Sequence, residues 1–448
     1  MLVLFAAPIL YTVFDFLLYS ILPFLFILGF CVTIHEIGHF IFAKIFGIPV
    51  EKFSIGFGPP LFRRKIGETD FRIAYFPLGG YVKMVGEEEG EILKSKESVT
   101  PDEEIIKLGF YEAPTYKRIL VVFGGPLFSI ASAVIVIVLT FLIFGISFNP
   151  YSKIQVEKGS YADHAGLMDG DSIIAANYKP IKTWDAFEEF LMAKQGEEIT
   201  ILIIRNGQQI TKKLMVNIDS LGLTSLVPSV LGTVKMNGPA YRAGMKTGDR
   251  VLKIDNAEVK TWNELVEIVR KSIKVSLLFE WQHNDEIKTA YIKTISYCDP
   301  ITRDTVGQIG VFMPLVRKYL TPLEAFNLSI NRSGSLIWLT LKIFYQLIKR
   351  EVSVKALGGP IAIAKLSAES AQWGLEYLLG LLAIISVNLG IINLFPIPAL
   401  DGGHILISLI EATRRKRLSK NTRMVIQQIG YAIILLLIIF VTFNDITR

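Results

Sequence analysis

Four long apolar runs without a charged side chain dominate the chain. They cover residues 16–34, 119–152, 377–400 and 424–444. A helix rises about 1.5 Å per residue, so even the shortest run extends about 28 Å, close to the thickness of a hydrocarbon core. We therefore expect four membrane-spanning helices.

A fifth apolar stretch, residues 333–348, is interrupted by Lys342 and flanked by Arg332 and Lys349. These charges favour an amphipathic helix that lies on the membrane or against the protein over a fifth spanning helix.

Composition agrees with a membrane protein, since 51% of the 448 residues are hydrophobic and the mean hydropathy is +0.44. The net charge of +6 does not indicate nucleic-acid binding, because the basic residues are dispersed except for one cluster between the third and fourth runs. That cluster comprises Arg414, Arg415, Lys416, Arg417, Lys420 and Arg423. Lys and Arg concentrate in cytoplasmic loops near anionic lipids. We therefore expect residues 47–115 inside and both termini and residues 151–372 outside.

The first apolar run lacks the basic segment and the small-residue cleavage site of a signal peptide, so we expect it in the mature protein. Cys31 lies in that run and Cys298 in the exported region. This separation predicts neither a disulfide nor a cysteine metal site.

An internal repeat with an offset of 78 residues occupies the exported region. The sequence Ala165-Gly166-Leu167-Met168-Asp169-Gly170-Asp171 recurs as Ala243-Gly244-Met245-Lys246-Thr247-Gly248-Asp249, and Trp184 matches Trp262. Each copy is typical of a strand, a glycine turn, a strand, a helix and further strands. The repeat therefore predicts two copies of one compact α+β domain.

The pattern of each copy resembles a PDZ domain in the strand order common in bacterial envelope proteases. A PDZ domain binds an extended peptide as an added strand, and its backbone amides receive a terminal carboxylate. Gly307-Gln308-Ile309-Gly310-Val311 is a candidate for such a carboxylate loop in the second copy. The alternative is a rigid steric filter that binds no peptide, and both interpretations stay open.

The first apolar run ends in an H-E-x-x-H motif, His35-Glu36-Ile37-Gly38-His39. Residues four apart share a helix face, so both imidazoles can bind one zinc ion while Glu36 stands beside it. Ionisable side chains in a membrane are energetically unfavourable and therefore indicate function. The alternative is a polar cluster that pairs with another helix for structural reasons.

A catalytic zinc ion usually has three protein ligands and an open fourth position. No third ligand follows the motif, and His164 and His283 lie in the repeats. Asp401, at the end of the third run, is a stronger candidate than His404, because an unpaired carboxylate there would be unfavourable without a metal. The alternative for Asp401 is an ordinary Asp-Gly-Gly turn.

Pro396 and Pro398 remove amide donors and force extended backbone, so we expect the third span to unwind near them. Irregular backbone at membrane depth requires protein or a water-filled cavity around it. Asn393, just before the break, is then a candidate to bind substrate backbone. Residues 71–84 have a hairpin pattern, and we expect this segment to capture an unwound substrate by strand pairing, so that proline substitutions along residues 71–75 should impair cleavage.

Motifs along nearly the whole chain resemble the site-2 protease family of intramembrane zinc metalloproteases. They are the H-E-x-x-H motif, residues 53–58 and 77–84, the two repeats, and residues 357–361 and 386–404. In combination these motifs are specific. One departure is Ser129, where similar proteins often carry Asn, so the resemblance assigns no role to it.

The resemblance implies a set of site residues and one Zn²⁺ ion per chain. The implied zinc ligands are His35, His39 and Asp401, the implied catalytic acid/base is Glu36, and Asn388 and Asn393 are implied to lie near bound substrate. His404 becomes a supporting or structural residue.

The resemblance also implies the substrates and the location. The substrates are single-pass membrane proteins such as an anti-sigma factor already trimmed on its periplasmic side, and remnant signal peptides. The location is the bacterial inner membrane, with the active site toward the cytoplasm and the PDZ-like domains in the periplasm. A bulky untrimmed substrate is expected to collide with these domains.

The sequence thus predicts a polytopic α-helical membrane protein with two inserted α+β PDZ-like domains. The expected boundaries are 1–150 for the first transmembrane half, 151–228 and 229–315 for the two domains, 316–372 for an interfacial helix region, and 373–448 for the second transmembrane half. Two alternative functions stay open but explain less of the sequence. A membrane transporter would have no use for the repeats or for H-E-x-x-H. A noncatalytic scaffold anchored in the membrane would leave Glu36 without a role.

Overall fold

A computed structural model of the chain describes residues 21–86, 109–217, 221–298, 304–353 and 358–447. The chain divides into two compact units. The first unit extends to Ile143 and resumes with Thr321–Arg448, and the second unit is Phe144–Leu320. Nearly all of the long apolar helices lie in the first unit, and both repeats lie in the second.

The α-helices of the described residues are numbered here in chain order. They are α1 (Leu22–Ile45), α2 (Thr115–Phe144), α3 (Tyr161–His164), α4 (Trp184–Ala193), α5 (Pro239–Arg242), α6 (Trp262–Lys271), α7 (Pro322–Ile348), α8 (Pro360–Trp373), α9 (Leu375–Asn393), α10 (Asp401–Arg414) and α11 (Lys420–Thr447).

The β-strands are numbered in the same way. They are β1 (Val50–Ile66), β2 (Thr69–Met84), β3 (Ile146–Phe148), β4 (Ile154–Val156), β5 (Ser172–Ala176), β6 (Lys179–Pro180), β7 (Glu198–Arg205), β8 (Gln208–Met215), β9 (Leu223–Ser225), β10 (Arg250–Ile254), β11 (Ala257–Glu258), β12 (Ser276–His283), β13 (Glu286–Lys293), β14 (Ile295–Cys298), β15 (Thr305–Gln308) and β16 (Val316–Lys318).

Within the described ranges, four helices are long and apolar enough to cross a membrane, namely α1, α2, α9 and α11. Their bounds differ from the apolar runs for physical reasons. Helix α1 continues through the H-E-x-x-H motif to Ile45, because ionisable residues end a charge-free run without ending a helix. Residues 16–20 of the first run lie outside the described residues. Helix α2 ends at Phe144, and β3 then pairs with β16.

Helix α7 begins earlier than the predicted amphipathic stretch. Thr321 caps it in a capping box with Glu324, an arrangement that satisfies amide groups at a helix start. One face lies against α9, where the Thr340 hydroxyl donates a hydrogen bond to Asn388 Oδ1 at 2.7 Å. Two residues before Thr340, Trp338 is 69% exposed, so this helix also has an apolar face that the described residues do not cover.

Strands β1 and β2 form more than a simple hairpin. Residues 52–55 of β1 pair with residues 70–73 on one side and with residues 80–83 on the other, while the end of β1 also pairs with the start of β2. The two long strands therefore fold into a four-segment sheet. Residues 80–84 form one edge of this sheet, and residues 70–73 lie inside it.

The two repeats have the same sheet topology. The first has the strand order β6-β5-β7-β8 and the second β11-β10-β12-β13, and each packs a helix, α4 or α6, capped by a threonine. Residues at the 78-residue offset fill equivalent positions in the two apolar cores. These pairs include Ile173 and Val251, Phe187 and Leu265, and Ile201 and Phe279.

A buried aspartate holds the same position in both repeats but has a different partner in each. Asp171 accepts hydrogen bonds from Arg205 Nε at 2.6 Å and Nη2 at 2.7 Å. Asp249, 78 residues later, contacts His283 Nδ1 at 2.6 Å. Buried carboxylates require such partners, so the repeats share a polar anchor while their surrounding side chains have diverged.

Candidate metal centre

His35 and His39 lie one turn apart on α1, and both are buried. The His39 Nδ1 atom donates a hydrogen bond to the Val121 carbonyl oxygen at 3.0 Å, and His35 Nδ1 is 3.0 Å from the Ser129 hydroxyl. A carbonyl only accepts, so the Nε2 atom of neutral His39 carries a lone pair. Both Nδ1 atoms thus contact α2, and both Nε2 atoms face Asp401.

The Nε2 atoms of His35 and His39 lie 3.1 Å apart. The carboxylate of Asp401 completes the group, with His35 Nε2 3.0 Å from Oδ2 and His39 Nε2 3.4 Å from Oδ1. Although Oδ2 is this close to a nitrogen, it is buried and has no well-aligned hydrogen-bond donor. Two imidazole nitrogens and a carboxylate therefore converge on one point, an arrangement that a cation there would stabilise.

The spacing of these atoms fits a tetrahedral zinc site. Ligand atoms at the usual 2.0–2.1 Å from zinc lie about 3.3 Å from one another, close to the observed 3.0–3.4 Å. Within the described residues, His35, His39 and Asp401 are the group of three possible ligands whose atoms all lie within 4.8 Å of one another. Two imidazoles and a carboxylate also leave a fourth position open, as in catalytic zinc sites.

Space for the two imidazoles depends on Gly125 of α2. A Cβ atom at this position would lie 2.3 Å from His39 Nε2 and 2.7 Å from His35 Nε2. Any larger residue would therefore occupy the volume where the metal ligands meet. This requirement explains a glycine within an apolar helix, where it otherwise weakens the helix by about 1 kcal/mol relative to alanine.

Asp401 reaches the two histidines because α9 stops at Asn393 and α10 starts at Asp401. As the two prolines predict, residues 394–400 are not helical, and Ala399 has a positive φ of 78°. Asp401 is thus the first residue of a new helix, not the end of the third span. Gly402 allows the turn, since a Cβ there would lie 2.2 Å from the carbonyl oxygens of Leu394 and Phe395.

A buried ion pair between Arg118 of α2 and Glu411 of α10 anchors the helix that carries Asp401. Their Nη1 and Oε2 atoms are 2.7 Å apart, and both side chains are almost completely buried. The other Glu411 oxygen accepts a hydrogen bond from the Leu418 amide at 2.9 Å. Because removal of one partner leaves an uncompensated charge, this pair holds α10 in one position against α2. The apolar pattern of the sequence carried no signal for it.

Glu36 faces a cavity of about 310 Å³ beside the three possible ligands. The residues around it are Val32, His35, Glu36, His39, Tyr81, Val82, Met84, Phe110, Val122, Leu389, Asn393, Ala399, Leu400, Asp401 and His404. The carboxyl group of Glu36 also forms a hydrogen bond with the backbone of Val82. The cavity is large enough for water and for part of a peptide, and it has a carboxyl group beside the point where the ligands meet.

The two predicted substrate-binding asparagines have different positions. The Asn393 side chain reaches the centre, where its Nδ2 atom donates a hydrogen bond to His35 Nε2 at 3.2 Å. Asn388 does not line the cavity, and its Oδ1 accepts the hydrogen bond from Thr340. His404, expected to be a supporting residue, does line the cavity one turn after Asp401.

Ser129 contributes to the centre although the family resemblance assigned it no role. It is buried on α2, and its hydroxyl contacts His35 Nδ1. Such a contact restrains the orientation of the imidazole. The available signal was that Ser129 lies four residues after Gly125, on the same face of α2. This spacing can be interpreted only once α1 is known to cross α2 there.

Comparison with known proteins gives matches along nearly the whole chain. Residues 23–437 match Peptidase family M50. The chain is similar to the regulator of sigma-E protease RseP of Escherichia coli K12, with 32% identity over 458 residues that cover 96% of this chain and 99% of the relative. It is also similar to NMA0084, a zinc metalloprotease candidate of Neisseria meningitidis serogroup A, with 31% identity over 455 residues and the same coverage of both chains.

A solved structure matches a shorter part of the chain. The PDZ domain of an SdrC-like protein from Listeria monocytogenes is 23% identical, covers 20% of this chain and 90% of its own, and has a TM-score of 0.17.

The contact between Ser129 and His35 predicts that Ser129→Ala weakens zinc binding by about tenfold, in the range found when hydrogen-bond partners of metal ligands are removed. Competition with a chromogenic chelator in purified, detergent-solubilised protein measures the affinity. Ser132→Ala is the matched control, because Ser132 is buried on the same helix but bonds only the Ser129 carbonyl oxygen. Equal zinc affinities of the two variants would contradict the predicted role.

Proposed function

Because the chain belongs to peptidase family M50 and is a zinc metalloprotease, we propose that it hydrolyses peptide bonds within or beside the transmembrane segment of single-pass membrane proteins. The observation that carries this proposal is the convergence of His35, His39 and Asp401 in a cavity that also contains Glu36. The motif and the third ligand come from different helices of a unit rich in apolar helices. A protease site built in this way acts on chains inside the membrane.

We assign the zinc ligands as His35, His39 and Asp401, with one Zn²⁺ per chain. Zinc in such a site polarises a carbonyl group and lowers the pKa of a bound water to about 7. Glu36 lines the same cavity, so its carboxylate is the proposed base that removes a proton from the attacking water. The same carboxyl group then returns a proton to the nitrogen of the leaving amine.

Substrate positioning is the proposed role of Asn393. Carbonyl groups of a substrate helix are already hydrogen-bonded, so the helix must unwind before a peptide bond can react. The amide of Asn393 already reaches His35, which makes it suited to bind backbone next to the reacting bond. Asn388 is a weaker candidate for direct contact, because Thr340 occupies its oxygen.

Strand pairing with the unwound substrate needs a free sheet edge beside the cavity. Within the predicted capture segment, residues 71–84, residues 71–73 do not offer one, because they pair with β1 residues on both sides. Tyr81 and Val82 line the cavity at an edge of the sheet, where each pairs with β1 on one side only. We propose this edge as the site where an extended substrate pairs.

The proposed substrates are anti-sigma factors already trimmed outside the membrane, together with remnant signal peptides, in the bacterial inner membrane. The relation to regulator of sigma-E proteases supports the first substrate class. The basic residues between α10 and α11 support a metal site toward the cytoplasm and repeats in the periplasm. The repeats then act as PDZ-like selectors of substrate on the periplasmic side.

Glu36→Gln is expected to reduce hydrolysis of a single-pass substrate by at least about a hundredfold, because the amide cannot accept and return a proton. Cleavage is measured with purified, zinc-loaded protein in detergent. The zinc content should stay unchanged, since the three ligands remain. Glu68→Gln is a matched control on an exposed turn and should retain activity. Full hydrolysis by Glu36→Gln would overturn the mechanism.

A photo-crosslinking amino acid in place of Tyr81 is expected to crosslink to the unwound part of a bound substrate, because Tyr81 lies on the sheet edge that lines the cavity. The same amino acid in place of Tyr75 is the control and should give little crosslinking. Mass spectrometry of the product locates the contact. Stronger crosslinking from position 75 than from position 81 would contradict pairing at this edge.

Deletion of residues 153–315 is expected to permit cleavage of an untrimmed substrate, because it removes the repeats that we propose to exclude bulky domains. Cleavage of trimmed and untrimmed substrates is compared by immunoblotting in membranes. The same deletion combined with Glu36→Gln controls for other proteases. Strict dependence on trimming in the deletion variant would count against the repeats as the filter.

A further inference from the structure

The first repeat has an open groove of about 580 Å³ between α4 and the strand pair β4–β9. The residues that line it are Gln155, Val156, Glu157, Trp184, Glu188, Leu191, Met192, Leu221, Gly222, Leu223, Thr224 and Asn263. Asn263 belongs to the second repeat and donates hydrogen bonds to Gln155 Oε1 at 2.9 Å and Thr224 Oγ1 at 3.1 Å. The second repeat therefore completes one wall of the groove in the first.

The charge of this groove is negative. Glu157 and Glu188 carry carboxylates in its lining, and none of the described lining residues is Lys or Arg. Both glutamates are exposed to solvent. The Trp184 indole donates a hydrogen bond to Glu188 Oε1 at 2.5 Å, which orients this carboxylate along the apolar wall formed by α4. A ligand of the groove thus meets apolar side chains next to two negative charges.

Glu157 lies at the point where a PDZ-like fold would receive a terminal carboxylate. Its amide donates a hydrogen bond to the Gly222 carbonyl oxygen at 2.8 Å, and a Cβ on Gly222 would lie 3.1 Å from Glu157 Cβ. A glutamate side chain beside this loop repels a free C-terminus. The first groove therefore disfavours the ligand end that the loop of this fold usually binds.

The second repeat lacks both negative charges at the equivalent positions, and Glu188 corresponds to the uncharged Val266. Lys235 replaces Glu157 at the 78-residue offset, and its amide makes the same bond, to the Gly310 carbonyl oxygen at 2.9 Å. Arg270 replaces Met192, and Arg270 lines the second groove. That groove is smaller, about 170 Å³. Since the backbone contact is conserved between the copies, the difference lies in side-chain charge and in space.

We propose that the groove of the first repeat binds an internal, extended segment of a polypeptide that carries Lys or Arg beside apolar side chains, and that it does not require a free C-terminus. Apolar wall residues provide the contact area, and Glu157 and Glu188 select the positive charge. The proposal extends the proposed role of the repeats in substrate selection. Its assay measures binding and not hydrolysis, so the proposal can fail while the proposed protease activity is retained.

The test uses full-length Glu36→Gln protein in detergent and labelled peptides that alternate Val and Thr around a central pair of charged residues. Fluorescence anisotropy compares a central Arg pair with a central Glu pair, each as the free acid and as the C-terminal amide. The Arg peptide should bind about tenfold more tightly than the Glu peptide, as expected for two exposed ion pairs. Amidation should leave its affinity unchanged, and added salt should weaken it.

Variants assign the binding to the first groove. Glu157→Lys combined with Glu188→Lys should weaken binding of the Arg peptide about tenfold or more. Glu189→Lys is the matched control, because Glu189 is the exposed neighbour of Glu188 and does not line the groove. Lys235→Glu in the second repeat should also leave this affinity unchanged.

Three results would overturn the proposal. The first is equal binding of the Arg and Glu peptides, or no binding of either. The second is a requirement for the free C-terminal acid. The third is an unchanged affinity in the double Glu→Lys variant, or an equal loss in Glu189→Lys. Because both glutamates are exposed, their replacement should not unfold the repeat, and an unchanged thermal unfolding curve verifies this.

Discussion

The arrangement of the membrane unit depends on one electrostatic constraint, the convergence of three buried acceptor groups. The Nε2 atoms of His35 and His39 and the carboxylate of Asp401 approach within hydrogen-bonding distance of one another, and two of the three groups use their remaining polar atoms elsewhere. Buried acceptors repel one another unless a cation lies between them. The neighbouring features serve this arrangement: Gly125 provides the space, Ser129 and Val121 orient the imidazoles, and the Arg118–Glu411 pair holds the helix of Asp401.

Placing Asp401 in this centre requires a break in the helix. The same break provides the room for water that peptide hydrolysis requires. Helix α9 ends at Asn393, and the seven residues before Asp401 follow an irregular path. Irregular backbone exposes polar groups, so it is tolerated at membrane depth only beside protein or water. Here it borders the cavity that contains Glu36. The same break therefore places a candidate metal ligand and an asparagine beside room for water, while Tyr81 and Val82 border the cavity at the sheet edge.

The two repeats illustrate how duplicated domains diverge. Their cores use equivalent positions, and each keeps a buried aspartate with a basic partner. Core positions are restrained because close packing tolerates few changes of volume. Groove positions have no such restraint, and there Glu157 and Lys235 have opposite charges on the same backbone contact. The two copies thus share a fold and differ in the chemistry that they present to a ligand.

Much of this protein was predictable from local sequence. Apolar runs predicted four spanning helices, and the 78-residue offset predicted a duplicated α+β fold. The H-E-x-x-H motif and the proline segment before Asp401 pointed to the candidate metal ligands. These signals are readable because hydrophobic length, periodicity and backbone restrictions act over short stretches of chain. The sequence placed Asp401 at the end of a span, whereas it begins a new helix. It also assigned strand capture to residues 71–84 as a whole, of which residues 71–73 lie inside the sheet. Only the tertiary structure decided the contact of Ser129 with His35, the Arg118–Glu411 pair, the sheet edge at Tyr81 and Val82 and the wall that Asn263 adds to the first groove. Each of these joins segments distant in the chain, and the side chains that meet there are determined by how helices cross and strands pair, which no single segment encodes.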